Sequence, residues 1–351
     1  MQLHKALGKV VKFAAKGKDA PELYKSVMLI PQTENEPAKV FATDGMVGCF
    51  ISVETTELPN ALIPSDSVKA IAKQAVTLVK SDNDIVTFHL ENSVAIYKIA
   101  CKDLAGYPSV PVVGNSFESC TQWLPIQNVI HAVADSKSKK VNLQNVRVSP
   151  TSVEATDSVR VAVAVAKGWP KPMLIPARLL VNWKVPRISV SFTDSVVFFK
   201  AGEETRYSPI ITDSGFPNCR ELVPTEFKGE YSVVNAKKLQ KAVAQATAIS
   251  ALKTVALDFQ GDVIIIKSWS ANEGGKTYKS VVNMEAHSKK AVAFKLISGK
   301  LLAHSLKSVK TPNVRLCFTD EITEPLRIES SAWAECIWPW KVDDNGSQGT
   351  S

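Results

Sequence analysis

The stretch Ala42-Thr43-Asp44-Gly45 recurs further along the chain as Ala155-Thr156-Asp157-Ser158. Two other landmarks return in the same order, again after roughly 110 residues. Leu62-Ile63-Pro64 returns as Leu174-Ile175-Pro176, and Gly106-Tyr107-Pro108 returns as Gly215-Phe216-Pro217. Because unrelated landmarks keep one order and one spacing, the chain repeats a module of about 110 residues, the size of one domain.

A third copy of the module is weaker but detectable in the last part of the chain. Its traces are Ser268-Trp269-Ser270-Ala271, Phe294-Lys295-Leu296-Ile297-Ser298 and Ile337-Trp338-Pro339-Trp340. We therefore place module one at 1–117, module two at 118–225 and module three at 226–342. The polar segment 343–351 is predicted to be a disordered tail.

Each module is expected to open with a helix, continue into strands, add a second helix and close with strands. This order predicts an α+β fold in which two helices pack on antiparallel sheets. Short β-branched runs predict strands at Val94–Ile99, Ile188–Phe192, Val196–Lys200, Val263–Ile266 and Val314–Phe318. Hairpin turns are predicted at Ser81-Asp82-Asn83-Asp84 and Phe259-Gln260-Gly261-Asp262.

Composition narrows the class of protein. The chain has 351 residues, of which 45% are hydrophobic, so it can build sizeable cores. No apolar run reaches the length of about eighteen residues that a membrane span needs, and the N-terminus shows no secretory signal. We expect no membrane contact, a cytoplasmic location and reduced packing cysteines, because Cys49, Cys101, Cys120, Cys219, Cys317 and Cys336 form no CxxC pair. The net charge of +8 permits nucleic-acid contact without proving it.

The predicted helices carry the most informative pattern. At 100° per residue, Lys5, Lys9, Lys12 and Lys16 fall on one narrow stripe, opposite an apolar face. The helix that opens module three repeats this pattern with Lys237, Lys241 and Gln245. The inner helices agree, with Lys69 and Lys73, with Arg178 beside Asn182, and with Lys300, His304 and Lys307.

The opening helix of module two departs from the pattern. Gln127, Asn128, His131 and Asp135 are predicted on its polar side, and Lys137 and Lys139 come only after it. Acidic residues are expected in turns and at strand ends, away from the cationic stripes. This segregation predicts a surface for the phosphate backbone of duplex DNA, contacted without sequence preference. Aromatic residues are absent from the stripes, which argues against base stacking with single strands.

Catalytic motifs are missing. The five histidines show no ligand spacing with cysteines or acids, and no HExxH, GxSxG or P-loop motif occurs. Asp44 and Asp157 are predicted to cap their own turns. Gly274-Gly275 fits a hairpin tip better than a phosphate cradle. We therefore predict a binding protein rather than an enzyme, with no metal and no cofactor.

Three segments together resemble a known family. Val153–Ala162, Gly215–Pro224 and Cys336–Val342, in this order and spacing, are similar to the bacterial DNA polymerase III beta subunit, the sliding clamp. The resemblance covers about residues 1–342 and fits a divergent phage or plasmid version. It implies a head-to-tail homodimer in which three modules per chain close a six-module ring around duplex DNA. The helices would line the hole and the sheets would form the outer wall.

The resemblance also implies a pocket between modules two and three for short linear motifs of the polymerase and the clamp loader. Carried over by motif position, its residues are Lys140, Leu143, Thr156, Val159, Arg160, Val161, Pro217, Leu222, Ile337, Trp338, Pro339, Trp340 and Lys341. The implied dimer contacts are Tyr97 and Ile99 from one chain, and Ala248 and Ile249 from the other.

The chain departs from the family at several of these positions. Ser158-Val159 replaces Gly-His, and Trp338-Pro339-Trp340 replaces Met-Pro-Met, so the pocket is expected to be larger-walled and to prefer a different peptide. Glu273 stands beside Lys276 and Lys279, which leaves the charge pairing of the dimer open.

The predicted function is thus a DNA sliding clamp, a processivity factor that tethers a replicative polymerase. The alternative is a non-enzymatic β-rich scaffold or phage structural protein, which would need no basic channel. A hydrolase or nuclease would need a carboxylate or histidine cluster that the sequence does not show. Both alternatives remain open at the level of sequence.

Overall fold

A computed structural model describes residues 1–55, 57–82, 84–91, 96–114, 116–120, 123–181, 183–213, 215–223, 227, 229–270, 277–288, 292–331 and 333–339. The side chains of Leu78 and Val292 are also outside this description. Several predictions lie outside the described residues: those on Asn83, Asn182, Glu273, Gly274-Gly275, Lys276, Trp340, Lys341 and the tail 343–351.

The described residues form an α+β fold. Its α-helices are α1 (Leu3–Val10), α2 (Ser65–Ile71), α3 (Trp123–Val129), α4 (Ala177–Leu180), α5 (Cys219–Leu222), α6 (Ala236–Ile249) and α7 (Gly299–Ser308). The first strands are β1 (Ser26–Ile30), β2 (Lys39–Thr43), β3 (Gly48–Ser52), β4 (Ala61–Pro64), β5 (Val76–Asp82), β6 (Ile85–Leu90), β7 (Ile96–Ala100), β8 (Glu118–Ser119), β9 (Asn145–Val148), β10 (Ser152–Thr156), β11 (Arg160–Val165) and β12 (Met173–Pro176). The later strands are β13 (Ser189–Phe192), β14 (Val196–Ala201), β15 (Glu204–Pro209), β16 (Glu230–Asn235), β17 (Thr254–Gln260), β18 (Val263–Trp269), β19 (Thr277–His287), β20 (Val292–Ser298), β21 (Asn313–Phe318), β22 (Leu326–Ser330) and β23 (Trp333–Ile337).

Contacts within the chain define two compact units. The first unit comprises Met1–Cys120 and Arg178–Ile211, and the second comprises Thr121–Ala177 and Thr212–Ser351. The predicted module two contributes to both units, so the units do not follow the module boundaries. The boundaries near 117 and 225 remain predictions.

The order of elements repeats three times along the described chain. A helix (α1, α3 or α6) precedes a four-strand set, ordered β4-β1-β2-β3, β12-β9-β10-β11 or β20-β17-β18-β19. A second helix (α2, α4 or α7) follows the fourth strand of each set directly. Every strand pair is antiparallel, as predicted. The Leu-Ile-Pro landmark is the fourth strand in the first two copies, which explains its recurrence.

Neighbouring sets are joined edge to edge. In the first unit, β3 pairs with β15 and completes the sheet β4-β1-β2-β3-β15-β14-β13-β8, while β5-β6-β7 form a separate sheet. In the second unit, β11 pairs with β23 in the sheet β12-β9-β10-β11-β23-β22-β21-β16-β19-β18-β17-β20. The two joins are equivalent, because each uses the strand that follows an Ala-Thr-Asp turn.

Amphipathic helices pack against the two larger sheets. Helix α1 buries Leu3, Ala6, Leu7 and Val10, and α6 buries Leu239, Ala242, Val243 and Ala246. Each fully buried Leu or Val contributes about 1.5–3 kcal/mol of hydrophobic free energy. Helices α6 and α7 pack side by side, and Gly299 leaves no room for a side chain against Thr247. None of the described helices is long and apolar enough to cross a membrane.

The predicted four-lysine stripe is wrong at its C-terminal end. Helix α1 ends at Val10, Lys12 lies in a 3-10 turn at Val11–Phe13, and Lys16 lies beyond it. Ala14 has an extended backbone, and the Ala15 amide donates to the carbonyl of Tyr24 at 2.8 Å. This tertiary hydrogen bond turns the chain away, so a period of 100° per residue does not apply to Lys16.

The strand and cysteine predictions agree with the structure. The predicted strands at 188–192, 196–200, 263–266 and 314–318 correspond to β13, β14, β18 and β21, and β7 covers the described part of 94–99. Gly261, with φ +61°, makes the predicted hairpin between β17 and β18. All six cysteines are free thiols, and Cys49, Cys219, Cys317 and Cys336 are buried.

The Ala-Thr-Asp turn is built twice in the same way. The hydroxyls of Thr43 and Thr156 donate to the carbonyls of Val47 and Arg160, at 2.9 and 2.7 Å. The carboxylates of both turn aspartates accept amides two and three residues later, as predicted for capping residues. The residue after the aspartate is left-handed in both turns, with φ +90° in the first and +75° in the second.

Because a left-handed backbone favours glycine, exchanges at these two positions should have opposite effects. Gly45→Ala should lower the free energy of unfolding by about 1 kcal/mol, and Ser158→Gly should raise it by about 0.5–1 kcal/mol. Urea denaturation of each variant measures both changes. Changes of the same sign would contradict the assignment of one turn geometry to both repeats.

Candidate nucleic-acid and partner-binding surfaces

The predicted DNA-binding residues of the first unit lie on its helices and the turns that follow them. Lys5, Lys9, Lys12, Lys16, Lys69, Lys73 and Arg178 all have exposed side chains. Three of them are ion-paired: Lys9 with Glu204 at 2.9 Å, Lys69 with Asp66 at 2.7 Å, and Arg178 with Asp44. The expectation that acids avoid these positions is therefore wrong at three sites.

The pairing of Lys9 has a specific cause. Glu204 lies on β15 with a side chain only 2% exposed, and a buried carboxylate requires a compensating charge. Lys9 and Arg206 supply it, the latter at 2.7 Å. Lys9 therefore serves the fold, whereas Lys5, Lys12, Lys16 and Lys73 have no ion pair with any carboxylate in the described chain.

The predicted DNA-binding cations of the second unit have no ion pair within the described residues. Lys237 and Lys241 project from α6, Lys300 and Lys307 project from α7, and all are exposed while the opposite helix faces are buried. Lys137 and Lys139 are exposed on the turn that follows α3. The cationic stripes predicted for α6 and α7 are thus present. The two helices pack side by side, so both stripes belong to the same helical layer.

The predicted polar side of α3 is wrong at two positions. Asn128 is 2% exposed and His131 is 7% exposed, so both face the protein interior. For His131 the cause is Glu335, a fully buried carboxylate on β23, whose Oε2 lies 2.6 Å from Nε2 of His131. Gln127 is half-buried, and Asp135 is exposed as predicted.

Glu335 is the centre of a buried polar network. Its Oε1 accepts the hydroxyl of Ser305 on α7 at 2.6 Å, and the guanidinium of Arg160 lies 3.9 Å away. Burial alone raises the pKa of Glu335, but His131, Arg160 and Ser305 outweigh it and hold that pKa below its ordinary value. Arg160 also donates to Asp157 at 3.0 Å. The network therefore links the second Ala-Thr-Asp turn to α7.

His304 lies at the edge of this network. Burial and the neighbouring Arg160 guanidinium, 3.5 Å from Nδ1, lower the pKa of His304 to about 4. His131 and Lys307 act in the same direction, and Glu335 opposes them. His304 is therefore neutral near pH 7, and the α7 stripe carries its positive charge on the two lysines alone.

The lowered pKa of His304 predicts a pH-dependent stability. The unfolded chain binds a proton near the ordinary pKa of 6.5, but the folded chain resists protonation down to about pH 4. The stabilising effect is complete above pH 6.5 and is lost as the pH falls from 6.5 towards 4. Urea unfolding between pH 7.5 and 4.5 should show this decline, and His304→Gln should flatten it. An identical slope in that variant would contradict the assignment.

The residues assigned to the partner pocket gather on the second unit. Val161 on β11 faces the same side as Cys336 on β23, and both are buried against Cys219 and Val223. Val163, Phe216, Ala334 and Trp338 pack around this cluster, and the amide of Trp338 donates to the carbonyl of Val159 at 3.2 Å. We call this surface the outer groove.

The structure distributes the other predicted pocket residues around the outer groove. Thr156 holds the turn, Val159 is exposed beside Trp338, and Pro217, Leu222 and Lys140 are exposed. Leu143 is buried, and Pro339 is half-buried. Arg160 and Ile337 lie on the opposite side of their strands, because side chains alternate. Arg160 therefore supports the turn from below rather than lining the groove.

Sequence reasoning missed six members of the groove: Val163, Phe216, Cys219, Val223, Ala334 and Cys336. The alternation of β11, with Val161, Val163 and Val165 on one side, could have indicated Val163. Leu222, carried over by its motif position, is exposed on the short helix α5, and its neighbour Val223 lies in the buried cluster.

A charged cluster fastens one wall of the groove to the sheet. Glu154 on β10 is fully buried and accepts two hydrogen bonds from Arg147, both at 3.1 Å. Arg147 also donates to Asp213 at 2.9 Å, which ties the segment before α5 to the sheet. Next to the groove lies a cavity of about 520 Å³, lined by Leu124, Pro125, Asn128, Val163, Val165, Val223, Arg327, Glu329, Ser330, Ser331, Trp333 and Ala334.

The predicted dimer residues differ in their exposure. Ala248 is exposed and Ile249 is half-buried near the end of α6. Tyr97 is half-buried on β7, whereas Ile99 is only 7% exposed in the first unit. Ile96, on the same strand, is 53% exposed. No group of three or more potential metal ligands occurs among the described residues.

Solved structures of bacterial sliding clamps superpose on nearly the whole chain. The DNA polymerase III beta subunit of Thermotoga maritima matches with a TM-score of 0.79 at 18% identity, over 97% of this chain and 98% of that chain. The chain has the sliding-clamp fold. The sliding clamp of Bacillus subtilis matches with a TM-score of 0.79 at 17% identity, over 97% of both chains. The beta subunit of Streptococcus pyogenes matches with a TM-score of 0.76 at 16% identity, over 96% of both chains.

The sliding-clamp fold is thus recognised by structure rather than by sequence. No family model matches the chain, and no curated protein matches its sequence. These structural matches confirm the resemblance to sliding clamps in fold, and they confirm the predicted α+β class. The low identities agree with a divergent sequence.

Proposed function

We propose that this protein is a DNA sliding clamp, a non-enzymatic processivity factor that closes a ring around duplex DNA in the cytoplasm. The single observation that carries the proposal is the repeated edge-to-edge join of the sheets. Two joins, β3 with β15 and β11 with β23, lie within the chain. A third join of the same kind has no partner strand within the described residues.

The two strands that would make the third join have free edges. β7 is the last strand of the sheet β5-β6-β7, and among described residues it pairs with β6 alone. Over residues 277–282, β19 pairs with β18 alone; its pairing with β16 begins at Met284. Unpaired strand edges invite pairing with another chain. Pairing of β19 with β7 of a second copy would repeat the internal joins and give a head-to-tail dimer.

The exposed cations supply the DNA-binding function in this proposal. The unpaired lysines of α1, α6 and α7 would face the hole, where ammonium groups meet phosphates without reading bases. A closed ring needs no tight binding, because its topology retains it. Weak and salt-screened contacts would let it slide, since each lost contact is replaced by an equivalent one nearby.

The outer groove serves as the docking site in this proposal. Short linear motifs of a polymerase or a clamp loader would enter between Trp338, Val161 and the segment of α5. Apolar walls with charged residues at the rim suit an anchored apolar side chain. Tethering the polymerase there, while the ring encircles DNA, would give processivity without any catalytic residue.

Encirclement predicts that retention on DNA depends on its topology. Protein diluted to dissociate the dimer, mixed with nicked plasmid and then concentrated should form rings around the plasmid. These rings should co-elute with the plasmid in gel filtration and be released when a restriction enzyme linearises it. Equal retention before and after linearisation would contradict encirclement and favour a scaffold protein that binds DNA incidentally or not at all.

The lysine assignment predicts a change in salt dependence. Lys237→Ala with Lys241→Ala should reduce the slope of log binding constant against log salt by about 2, because each phosphate contact contributes about 0.9 on duplex DNA. Lys25→Ala with Lys39→Ala is the matched control, since these lysines are ion-paired with Glu22 and Glu36. Fluorescence anisotropy with a linear duplex measures both slopes, and equal slopes would refute the assignment.

The third join predicts a specific dimer defect. Ile96→Asp places a charge on the free edge of β7, where the side chain is already exposed, so the single chain should keep its fold. The dissociation constant of the dimer should rise by about tenfold or more, a loss of about 1.4 kcal/mol. Ile322→Asp, in an exposed loop, is the control. Analytical ultracentrifugation measures the dimer, and unchanged dissociation would exclude β7 from the interface.

A further inference from the structure

The two sheet joins have the same register relative to the preceding Ala-Thr-Asp turn, so strand residues of the first unit can be matched with those of the second. Gly48 pairs with Thr43 on one side and with Tyr207 on the other. Val161 pairs in the same way with Thr156 and Cys336. The strand residues of the outer groove therefore have counterparts in the first unit. The counterparts of Val161, Val163, Arg327, Ala334 and Cys336 are Gly48, Phe50, Phe198, Thr205 and Tyr207.

In the second unit the floor of the groove is made of small side chains. Val161, Val163, Ala334 and Cys336 are aliphatic or small, and the cavity of about 520 Å³ begins at Val163 and Ala334. Arg327, which lines the neighbouring cavity, is held with its Nε 2.7 Å from Glu329. The cavity therefore leaves space for a foreign side chain beside Val163 and Ala334, whereas Cys219 and Val223 already cover Val161 and Cys336.

In the first unit aromatic rings occupy the same positions. Tyr207 is 8% exposed and lies across Gly48, so that a Cβ on Gly48 would overlap the tyrosine ring. The ring centroid of Tyr207 lies 6.1 Å from that of Phe198 and 6.3 Å from that of Phe41. Phe50 completes this cluster. The ring of Tyr207 can therefore lie against the sheet only because residue 48 is a glycine.

The polar end of Tyr207 is also accommodated. Its hydroxyl lies near Thr43, the threonine of the first Ala-Thr-Asp turn, which lowers the pKa of Tyr207 against the larger opposing effect of burial. Tyr107, from the Gly-Tyr-Pro landmark, covers the cluster as Phe216 covers the outer groove, and its hydroxyl donates to the carbonyl of Ser26 at 3.1 Å. The turn, the floor and the cover are therefore all present twice.

We propose that the first unit contains a second copy of the outer groove, which its own rings, Phe50, Phe198 and Tyr207, permanently fill. Each chain then offers one partner groove instead of two. Gly48 and Tyr207 act together as the plug: the glycine provides the space and the tyrosine takes it. The proposal rests on the proposed function, because it treats the groove of the second unit as the partner site.

Moving the plug into the second unit tests this directly. The variant Val161→Gly, Val163→Phe, Cys336→Tyr installs the residues of the first unit at the corresponding positions. The probe is a twelve-residue peptide selected from a random display library on the whole native protein and retained only if Trp338→Ala weakens its binding. Its affinity should fall at least about 30-fold in the variant, as for removal of an interface hot spot.

The control Leu252→Phe introduces a similar ring on an exposed turn away from the groove, and it should bind as the native protein does. Native-like binding by the plugged variant would overturn the inference while leaving the partner site intact. If no selected peptide depends on Trp338, the partner site in the proposed function fails instead.

A second variant tests the first unit without any peptide. Tyr207→Ala should lower the melting temperature and leave a cavity shaped for a phenol ring, and apolar engineered cavities bind such ligands. Millimolar p-cresol should then raise the melting temperature of this variant by several degrees and leave that of the native protein unchanged. An equal effect on both proteins would show that Tyr207 is a wall of the fold and not an occupant, and would overturn the inference.

Discussion

Backbone pairing between the edge of one strand set and the edge of the next is the interaction on which the rest of the structure depends. β3 meets β15 and β11 meets β23 with the same register relative to the preceding turn. These joins place small or aromatic side chains side by side on one face of the sheet and buried charges on the opposite face. The groove, its filled counterpart and the support beneath the helices all follow from that one geometry.

Much of this fold could be predicted from local sequence. The Ala-Thr-Asp turns, the Leu-Ile-Pro strands and the stripes of α6 and α7 depend on neighbours within a few residues, and Asn235 and Ser298 cap the two helices. The predictions that failed concern side chains whose contacts lie far away in the sequence. Glu204 captures Lys9, and Glu335 draws His131 inward, across about 200 residues of chain. No periodicity within a helix can reveal such a carboxylate.

The candidate site shows the same limit. Recurring landmarks predicted that the modules would be built alike, and the turns and covers of the two units agree. Whether each groove is filled depends on the side chains of the strand that joins its edge. That strand is β15, with Tyr207, in the first unit and β23, with Cys336, in the second. The register between these strands joins residues that are far apart in the sequence. It could not be predicted from one sequence alone. Function in this chain therefore lies in the differences between its repeats.

The long-range joins also set the order in which the chain can mature during synthesis. The first unit is complete once residues up to about 211 have emerged, because β15 is its last strand. The second unit needs β23, which ends at Ile337, so β11 must wait with an open edge until that strand has been synthesised. Such delayed non-local pairing slows folding and exposes strands to aggregation. The middle portion of the nascent chain is therefore the part most exposed to aggregation. Pairing of β23 with β11 ends this exposure.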